Sequence, residues 1–289
     1  MNVLSLFDGI SCGRLALERA GLSIDNYYAS EIDQNAIKCA TMNNPDIIEL
    51  GSVTDWKNWE IDWSSINLLI GGSPCQGFSI AGEQLNFNDE RSKLFFVFVD
   101  ILHHIQAVNP KVLFLLENVK MRNDYSDIIT KFLGVYPVMI DSALVSAQRR
   151  TRLYWANWQI LPPKDKKILF RDIINFNLHS YRPIQNWMMK YWGKTIKLDR
   201  LKTIKADKAS CLTTRKTHPF QYYLSEDKKT FTLLSQAEAE ILQTLPEGYT
   251  SMLKEGQAFY ALGNGWTVDV IAHIFSCMGN RTPQQLELF

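Results

Sequence analysis

Short continuous apolar runs, each closed by a glycine or a polar residue and each followed by apolar positions at helical spacing, recur over roughly the first 150 residues. Asn2 to Phe7 is the first such run, and it enters Asp8-Gly9-Ile10-Ser11-Cys12-Gly13, after which Leu15, Ala16, Leu17 and Ala20 mark a helix. Tyr27 to Ser30 reads as a second strand ending at Glu31, and Ile47 to Leu50 and Ile66 to Ile70 as two more, with a short helix or turn between Trp56 and Trp63. Ser92 to Val108 has the length and apolar content of a helix. Lys111 to Leu116 is a buried strand running into Glu117-Asn118-Val119, Asp127 to Leu133 is helical, and Val135 to Ile140 is again strand. This alternation predicts an α/β fold built on a doubly wound, mainly parallel sheet, in which ligands meet the carboxyl ends of the strands. Gly9, Glu31, Cys75 and Glu117 all fall at such ends.

The rhythm breaks between residues 157 and 230. Apolar runs shorten there, and Trp158, Trp187, Tyr191, Trp192, Tyr222 and Tyr223 interleave with Lys and Arg. Helical spacing resumes from Gln236 to Leu245, stopped by Pro246 and Gly248, and again from Thr267 to Met278 after the turn Gly263-Asn264-Gly265. The expected organisation is a first domain over 1–156, a small basic domain over 157–230, and a return to the first domain over 231–289. Charge sharpens this division. The chain carries a net +1, yet Arg149 to Lys229 holds 19 Lys+Arg against 6 Asp+Glu, and the rest holds 12 against 24. A +13 block beside a −12 body is the pattern of a nucleic-acid face, although Lys-rich surfaces are also common on soluble domains.

No run of about 18 apolar residues occurs, and the chain enters its first strand without a basic leader, so neither a membrane span nor a signal peptide is expected and a cytoplasmic setting is the default. The five cysteines show no CxxC spacing, which predicts free thiols and no metal site. One of them stands apart. Cys75 follows a strand within Gly71-Gly72-Ser73-Pro74-Cys75-Gln76-Gly77-Phe78-Ser79, where Pro74 fixes a backbone angle and Gly72, Gly77 and Gly82 read as hinges of a loop that closes over a ligand. A lone cysteine is ordinarily a small buried apolar residue. A base, a cofactor site and a substrate site elsewhere are what would make this one a nucleophile. Glu31, 22 residues after Gly9, stands where a doubly wound nucleotide fold holds ribose hydroxyls.

The ordered set Phe7-Asp8-Gly9, Ser73-Pro74-Cys75-Gln76, Glu117-Asn118-Val119, Gln148-Arg149-Arg150-Thr151-Arg152 and Gly263-Asn264 strongly resembles the C5-cytosine DNA methyltransferases, over nearly the whole chain and in the family's order. Phe7-Asp8-Gly9-Ile10, Ala29-Ser30-Glu31, Val145-Ser146-Ala147 and Leu212-Thr213-Thr214-Arg215 are most similar to the catalytic domain of the animal de novo enzymes. The chain's size suits a phage or bacterial member. A tRNA cytosine methyltransferase on the same scaffold is the rival, but that branch resembles Pro-Pro-Cys-Gln with a Cys-Phe-Thr triplet, and this chain has Ser73 before Pro74. A catalytically silent DNA-binding regulator is the other; such relatives lose the cysteine or the acid, and both are present.

Cytosine C5 is a poor nucleophile until another nucleophile adds to C6, and a thiolate both adds and leaves readily, which assigns Cys75. Glu117, after an apolar strand that desolvates it, is the candidate acid at ring N3. Arg152, with Arg150 as second choice, is the candidate to hold O2, and water is as good a base as any side chain for the C5 proton. A stacked cytosine exposes neither face to a thiol, so the base is expected to be flipped out of the duplex. The resemblance implies S-adenosylmethionine as methyl donor, becoming S-adenosylhomocysteine, and no metal. Its implied pocket is lined by Phe7, Asp8, Gly9, Ile10, Glu31, Ile32, Ser52, Val53, Pro74, Asn264 and Trp266. Ser52 stands where the family usually has Asp, so the hold on adenine is expected to be weaker or shared with Asp55. The implied DNA contacts are Gln76, Ser79, Ile80 and Ala81 after the cysteine, and Thr213, Thr214, Arg215 and Lys216 with His218 alongside, Arg215 reading guanine. The expected partner is double-stranded DNA, with no membrane, and the default is a monomer, with self-association on DNA as the alternative.

Overall fold

The computed structural model describes residues 1–74, 90–195, 201–218 and 221–279, with backbone alone at 90–92 and 193–195. Cys75, Gln76, Gly77, Ser79, Ile80, Ala81 and Gly82 lie outside the described residues. The chain divides into two compact units. One is drawn from Met1–Ile140, Thr151–Pro162 and the stretch from Val270, the other from Asp141–Arg150 and Pro163–Asp269.

In chain order the first unit contains β1 (Asn2–Leu6), α1 (Cys12–Arg19), β2 (Asn26–Ser30), α2 (Gln34–Asn43), β3 (Ile47–Glu49), β4 (Ile66–Gly71), α3 (Glu90–Val108), β5 (Leu113–Val119), α4 (Asn123–Leu133), β6 (Val138–Asp141) and β7 (Thr151–Ala156). The strands form one seven-stranded sheet in the order β3-β2-β1-β4-β5-β7-β6. Pairs β1–β2, β2–β3, β1–β4 and β4–β5 are parallel, and β7 runs antiparallel to β5. This is the expected α/β, doubly wound, mainly parallel sheet. Its central strands β1, β4 and β5 read as near-continuous apolar runs because they are buried along nearly their whole length. Leu4, Leu6, Leu69, Phe98, Ile101, Leu116 and Trp155 are among the side chains completely or almost completely buried in its core, each worth about 1.5–3 kcal/mol of transfer free energy. Gly71 packs closely where β4 meets α3: a Cβ there would stand 3.1 Å from both Leu6 O and the Phe98 ring.

Three details go beyond the sequence reading. β5 extends through Glu117-Asn118-Val119 rather than stopping at Leu116, so those residues are pleated strand. Thr151–Ala156, read only as part of a basic motif, is itself a strand. Helix α2 also went unread; Asp33 caps it by accepting from Asn35 N at 2.8 Å.

The second unit contains α5 (Phe170–Ile173), β8 (Arg182–Pro183), α6 (Asn186–Thr195), β9 (Lys202–Thr203), β10 (Tyr222–Leu224), β11 (Thr230–Leu233), α7 (Gln236–Leu242) and α8 (Glu255–Asn264). Its strands are short and form a sheet in the order β8-β11-β10-β9 over a small cluster of Met188, Trp192, Leu201, Leu224 and Phe231. Helix α7 opens with a reciprocal capping box between Ser235 and Glu238. The glycine turn read at 263–265 is the end of α8, whose final bond is Gly265 N to Ala261 O at 2.8 Å. Helix α9 (Val268–Ser276) contains the point at which the chain passes from one unit to the other, between Asp269 and Val270. Among the described residues, no helix is long and apolar enough to cross a membrane.

Candidate active site

The antiparallel pairing of β5 with β7 sets the geometry of the acid. Glu117 lies opposite Tyr154 and Val119 opposite Arg152, so residues 117 and 119 share a face with 152 and 154. Arg152 is thus a diagonal cross-strand neighbour of Glu117, and its Nε donates to Glu117 Oε1 at 3.0 Å. Glu117 is 8% exposed, so this pair is largely withdrawn from water, where a charge-assisted bond is strong. Asn118 points to the other face and is almost fully buried. Its Nδ2 donates to Ser73 Oγ at 3.1 Å and to Ser73 O at 3.3 Å, tying the end of β5 to the segment after β4. Ser73 and Pro74 are the last described residues before Cys75. The sequence supplied the Glu-Asn-Val motif but no task for Asn118.

At the other end of the sheet, β1, β2 and β3 finish side by side and bring together Asp8, Glu31 and Glu49. Phe7 adopts a left-handed backbone, φ 58°, and Gly9 follows at φ 63°. For a residue as bulky as Phe7 that conformation is uncommon and marks a constrained turn. It lets Gly9 N donate to Glu31 Oε2 at 2.8 Å, while Glu31 Oε1 accepts from Ile32 N at 2.7 Å and Asp33 N at 2.9 Å. Three backbone amides therefore fix the Glu31 carboxylate. The Asp8 carboxyl is enclosed by Ser5, Ser11 and Tyr27, all of which donate to it. Burial nevertheless holds it above the usual carboxylate range, against those three donors.

Glu49 was not singled out in the sequence. It closes the Ile47-Ile48 run, both carboxylate oxygens are buried, and neither accepts a hydrogen bond. Desolvation, with the like charges of Asp8 and Glu31 adding to it, pushes its pKa to about 7. A buried acceptor pair without donors, beside two further carboxylates, suits a ligand that is cationic and carries hydroxyl or amino donors. The remaining pocket candidates differ in placement. Ile10 and Val53 are buried, and Val53 belongs to the apolar core. Ile32 is 71% exposed. Ser52 Oγ pairs with Thr54 Oγ1 at 2.7 Å and accepts from Thr54 N at 3.3 Å, capping the 3-10 helix Val53–Asn58.

Within the second unit, Arg215 is exposed and Thr213 and Thr214 are half-buried, with Thr213 Oγ1 donating to Arg215 O at 3.1 Å. The Lys216 ammonium is engaged by Glu255 and lies 5.6 Å from the centre of the Phe259 ring. Desolvation, with Arg215 nearby, lowers the pKa of His218, which favours its neutral form. Asn264 is exposed at the end of α8 and Trp266 is half-buried. Arg150, grouped with Arg152 by sequence, is 4% exposed, and its guanidinium donates to Cys211 Sγ, Leu212 O, Gly263 O and Gly265 O.

Residues 1–156 match the family model of the C-5 cytosine-specific DNA methylase. Among curated proteins, the chain is 39% identical over 122 residues to "Orphan methyltransferase M.SPRI" of Bacillus phage SPR, covering 42% of this chain and 26% of that protein. It is 30% identical over 171 residues to "Type II methyltransferase M.NlaIV" of Neisseria lactamica, covering 57% of this chain and 38% of that one. The match thus spans between a quarter and two fifths of these relatives' length. Solved structures share the fold over most of the chain. A Spodoptera frugiperda DNMT2 variant superposes with a TM-score of 0.67 at 18% identity, covering 96% of this chain and 99% of that one. A putative DNA modification methyltransferase from an Escherichia coli prophage superposes with a TM-score of 0.62 at 21% identity, covering 97% and 100%.

Proposed function

The chain belongs to the C-5 cytosine-specific DNA methylase family, and on that premise we propose that it is a DNA (cytosine-5)-methyltransferase using S-adenosylmethionine on double-stranded DNA. The observation that carries this reading is the buried Glu117–Arg152 pair, one residue from the Asn118 amide that reaches back to Ser73, itself two residues before Cys75. An acid, a guanidinium and the Ser73-Pro74 segment that leads into Cys75 are then joined through β5, and addition to a pyrimidine calls for an acid and a guanidinium near a thiol.

The fit of the cofactor rests on the carboxylates at the ends of β1 to β3. Glu31, fixed by three amides, would receive the ribose hydroxyls; Phe7, Asp8 and Gly9 would line the methionine end; and the Glu49 charge favours a cation nearby. When bound, the cofactor supplies an electrophilic methyl group on a positively charged sulfur. Asn264 and Trp266 are further candidates for the same pocket. On the substrate side, the Cys75 thiolate adds to C6 of a flipped cytosine while Glu117 donates a proton at N3 and Arg152 holds O2, which makes C5 nucleophilic. After substitution at C5, loss of the C5 proton to water re-forms the C5–C6 double bond and expels the thiolate, and the N3 proton returns to Glu117. Gln76, Ser79, Ile80 and Ala81 would contact the DNA near the vacated stack, and Arg215 would read a guanine edge.

The test is direct. Purified protein is incubated with mixed-sequence DNA and the methyl donor, and 5-methylcytosine is mapped by bisulfite sequencing. The expected result is modification in one recurring sequence context, abolished by Cys75→Ala while that variant still binds DNA. Unmodified DNA with the wild type, or full activity in Cys75→Ala, overturns the reading.

A further inference from the structure

Residues 147–150 and 209–212 run alongside each other in the second unit, joined by Ala209 N to Ala147 O at 2.7 Å and Arg149 N to Ala209 O at 3.0 Å. Where that short ladder ends, Thr213-Thr214-Arg215 begins. The Arg150 side chain stands at this junction. One terminal nitrogen donates to Leu212 O at 3.2 Å and Cys211 Sγ at 3.3 Å, the other to Gly263 O at 3.0 Å and Gly265 O at 2.9 Å. One planar fork therefore grips two segments that are separate in the chain. A lysine has the charge but not the fork.

Two independent features hold the same pair of segments together. Gly263 has no room for a side chain: a Cβ would stand 2.4 Å from Thr213 C and 2.5 Å from both Thr213 O and Thr214 N, so the two backbones are in direct contact. Gln148 Oε1 accepts from Leu212 N at 3.2 Å while its Nε2 donates to Gln243 Oε1 at 2.8 Å, and Gln243 Nε2 donates in turn to Leu262 O at 2.6 Å and Gly265 O at 3.1 Å.

We propose that Arg150 is a positioning residue that fixes the backbone of Thr213–Arg215 against the 263–265 turn, and so sets where Arg215 presents its charge to DNA. This rests on the reading of Arg215 given above. It gives Arg150 a task different from that of Arg152: its donors are spent on backbone carbonyls and a thiol of its own unit, not on a base.

The experiment has two arms on the full chain. In the first, hydrogen exchange is compared in wild type and Arg150→Lys without DNA or cofactor. Faster exchange at the amides of 211–215 and 263–265, with β1 to β5 unchanged, is expected; unchanged exchange at those amides overturns the strut. Arg150→Ala is read in the same way if it folds, and Arg150→Lys decides if it does not. In the second, site choice is measured as the ratio of kcat/KM on the preferred site to that on a site with one base pair changed. Arg150→Lys is expected to lower that ratio by about tenfold to a hundredfold, the scale of one lost bidentate base contact, and to lower it no further in an Arg215→Ala background. Equal losses in both backgrounds overturn positioning through Arg215. If Arg215→Ala alone leaves the ratio unchanged, the assignment of Arg215 fails while the exchange arm still judges the strut.

Discussion

In the sheet unit, the strand ends carrying Glu31 and Glu117 stand on fully buried Leu4, Leu69, Phe98 and Leu116. In the other unit, Thr213–Arg215 rests on Arg150, Gln148 and Gln243, polar side chains that reach across the chain to backbone carbonyls and amides. The first arrangement is non-directional and tolerates repacking; the second is directional, and each missing partner strands a buried polar group. The comparison teaches that the strand ends bearing the candidate catalytic residues stand on packing, and the proposed reading segment on a bonded frame.

The largest expected effect tests whether packing alone sets the sheet's chemistry. Glu117→Gln keeps shape and packing but cannot deliver a proton, so single-turnover methylation should slow by about 10²–10⁴-fold; a rate within a few-fold of wild type would argue that the strand end serves without its acid. Next, Phe98→Ala should lower stability by about 3–5 kcal/mol in denaturant titration. A loss below about 1 kcal/mol would mean that the sheet unit is not held by its core. Gln243→Leu, nearly isosteric, should cost about 2–3 kcal/mol by removing the bonds that Gln243 makes with Leu262 O, Gly265 O, Thr267 Oγ1 and the Gln148 amide. Its signature is faster hydrogen exchange confined to the second unit, and exchange spread evenly over both would erase the contrast.

The smallest effect concerns a carboxylate that the sheet unit buries without a hydrogen-bond donor. Glu49 has its pKa raised to about 7 from an ordinary 4.5. The folded state therefore binds this proton more tightly than the unfolded chain, and the associated stability is fully present below about pH 4.5 and lost as pH rises through 7. Glu49→Gln should flatten that decline, raising Tm at pH 8 by a few degrees and changing it little at pH 5, roughly 1–2 kcal/mol after allowance for partial solvation. Parallel melting profiles for the two proteins would refute the assignment.

The alternation of apolar runs and helical spacing is sufficient to read the centre of the sheet, because β1, β4 and β5 are buried along nearly all of their length and the pattern is local. β7 escaped that reading: Thr151 and Arg152 made it look like part of a charged motif, although Leu153 to Ala156 is apolar. Helix α8 was hidden by Gly256 and by the glycines at its end, despite Ala258, Phe259, Ala261 and Leu262 at helical spacing. The division of labour between Arg150 and Arg152 could not be read at all. The partners of Arg150 lie 61 to 115 residues away in the chain, and a bond from a side chain to a distant carbonyl leaves no mark in composition or period. Glu49 does leave a mark, a carboxylate closing an apolar run at the end of a strand.

Because Arg150 and Gly263 grip main-chain atoms of Leu212, Thr213, Gly263 and Gly265, the mount of the 213–215 segment is indifferent to most of what that segment displays. Its side chains can be exchanged without loosening the clamp, so a library randomised at Thr214 and Arg215 should fold as the parent does, whereas a single methyl group at position 263 would dislodge every member of it. New target preferences would then be sought by varying the display and leaving the mount alone.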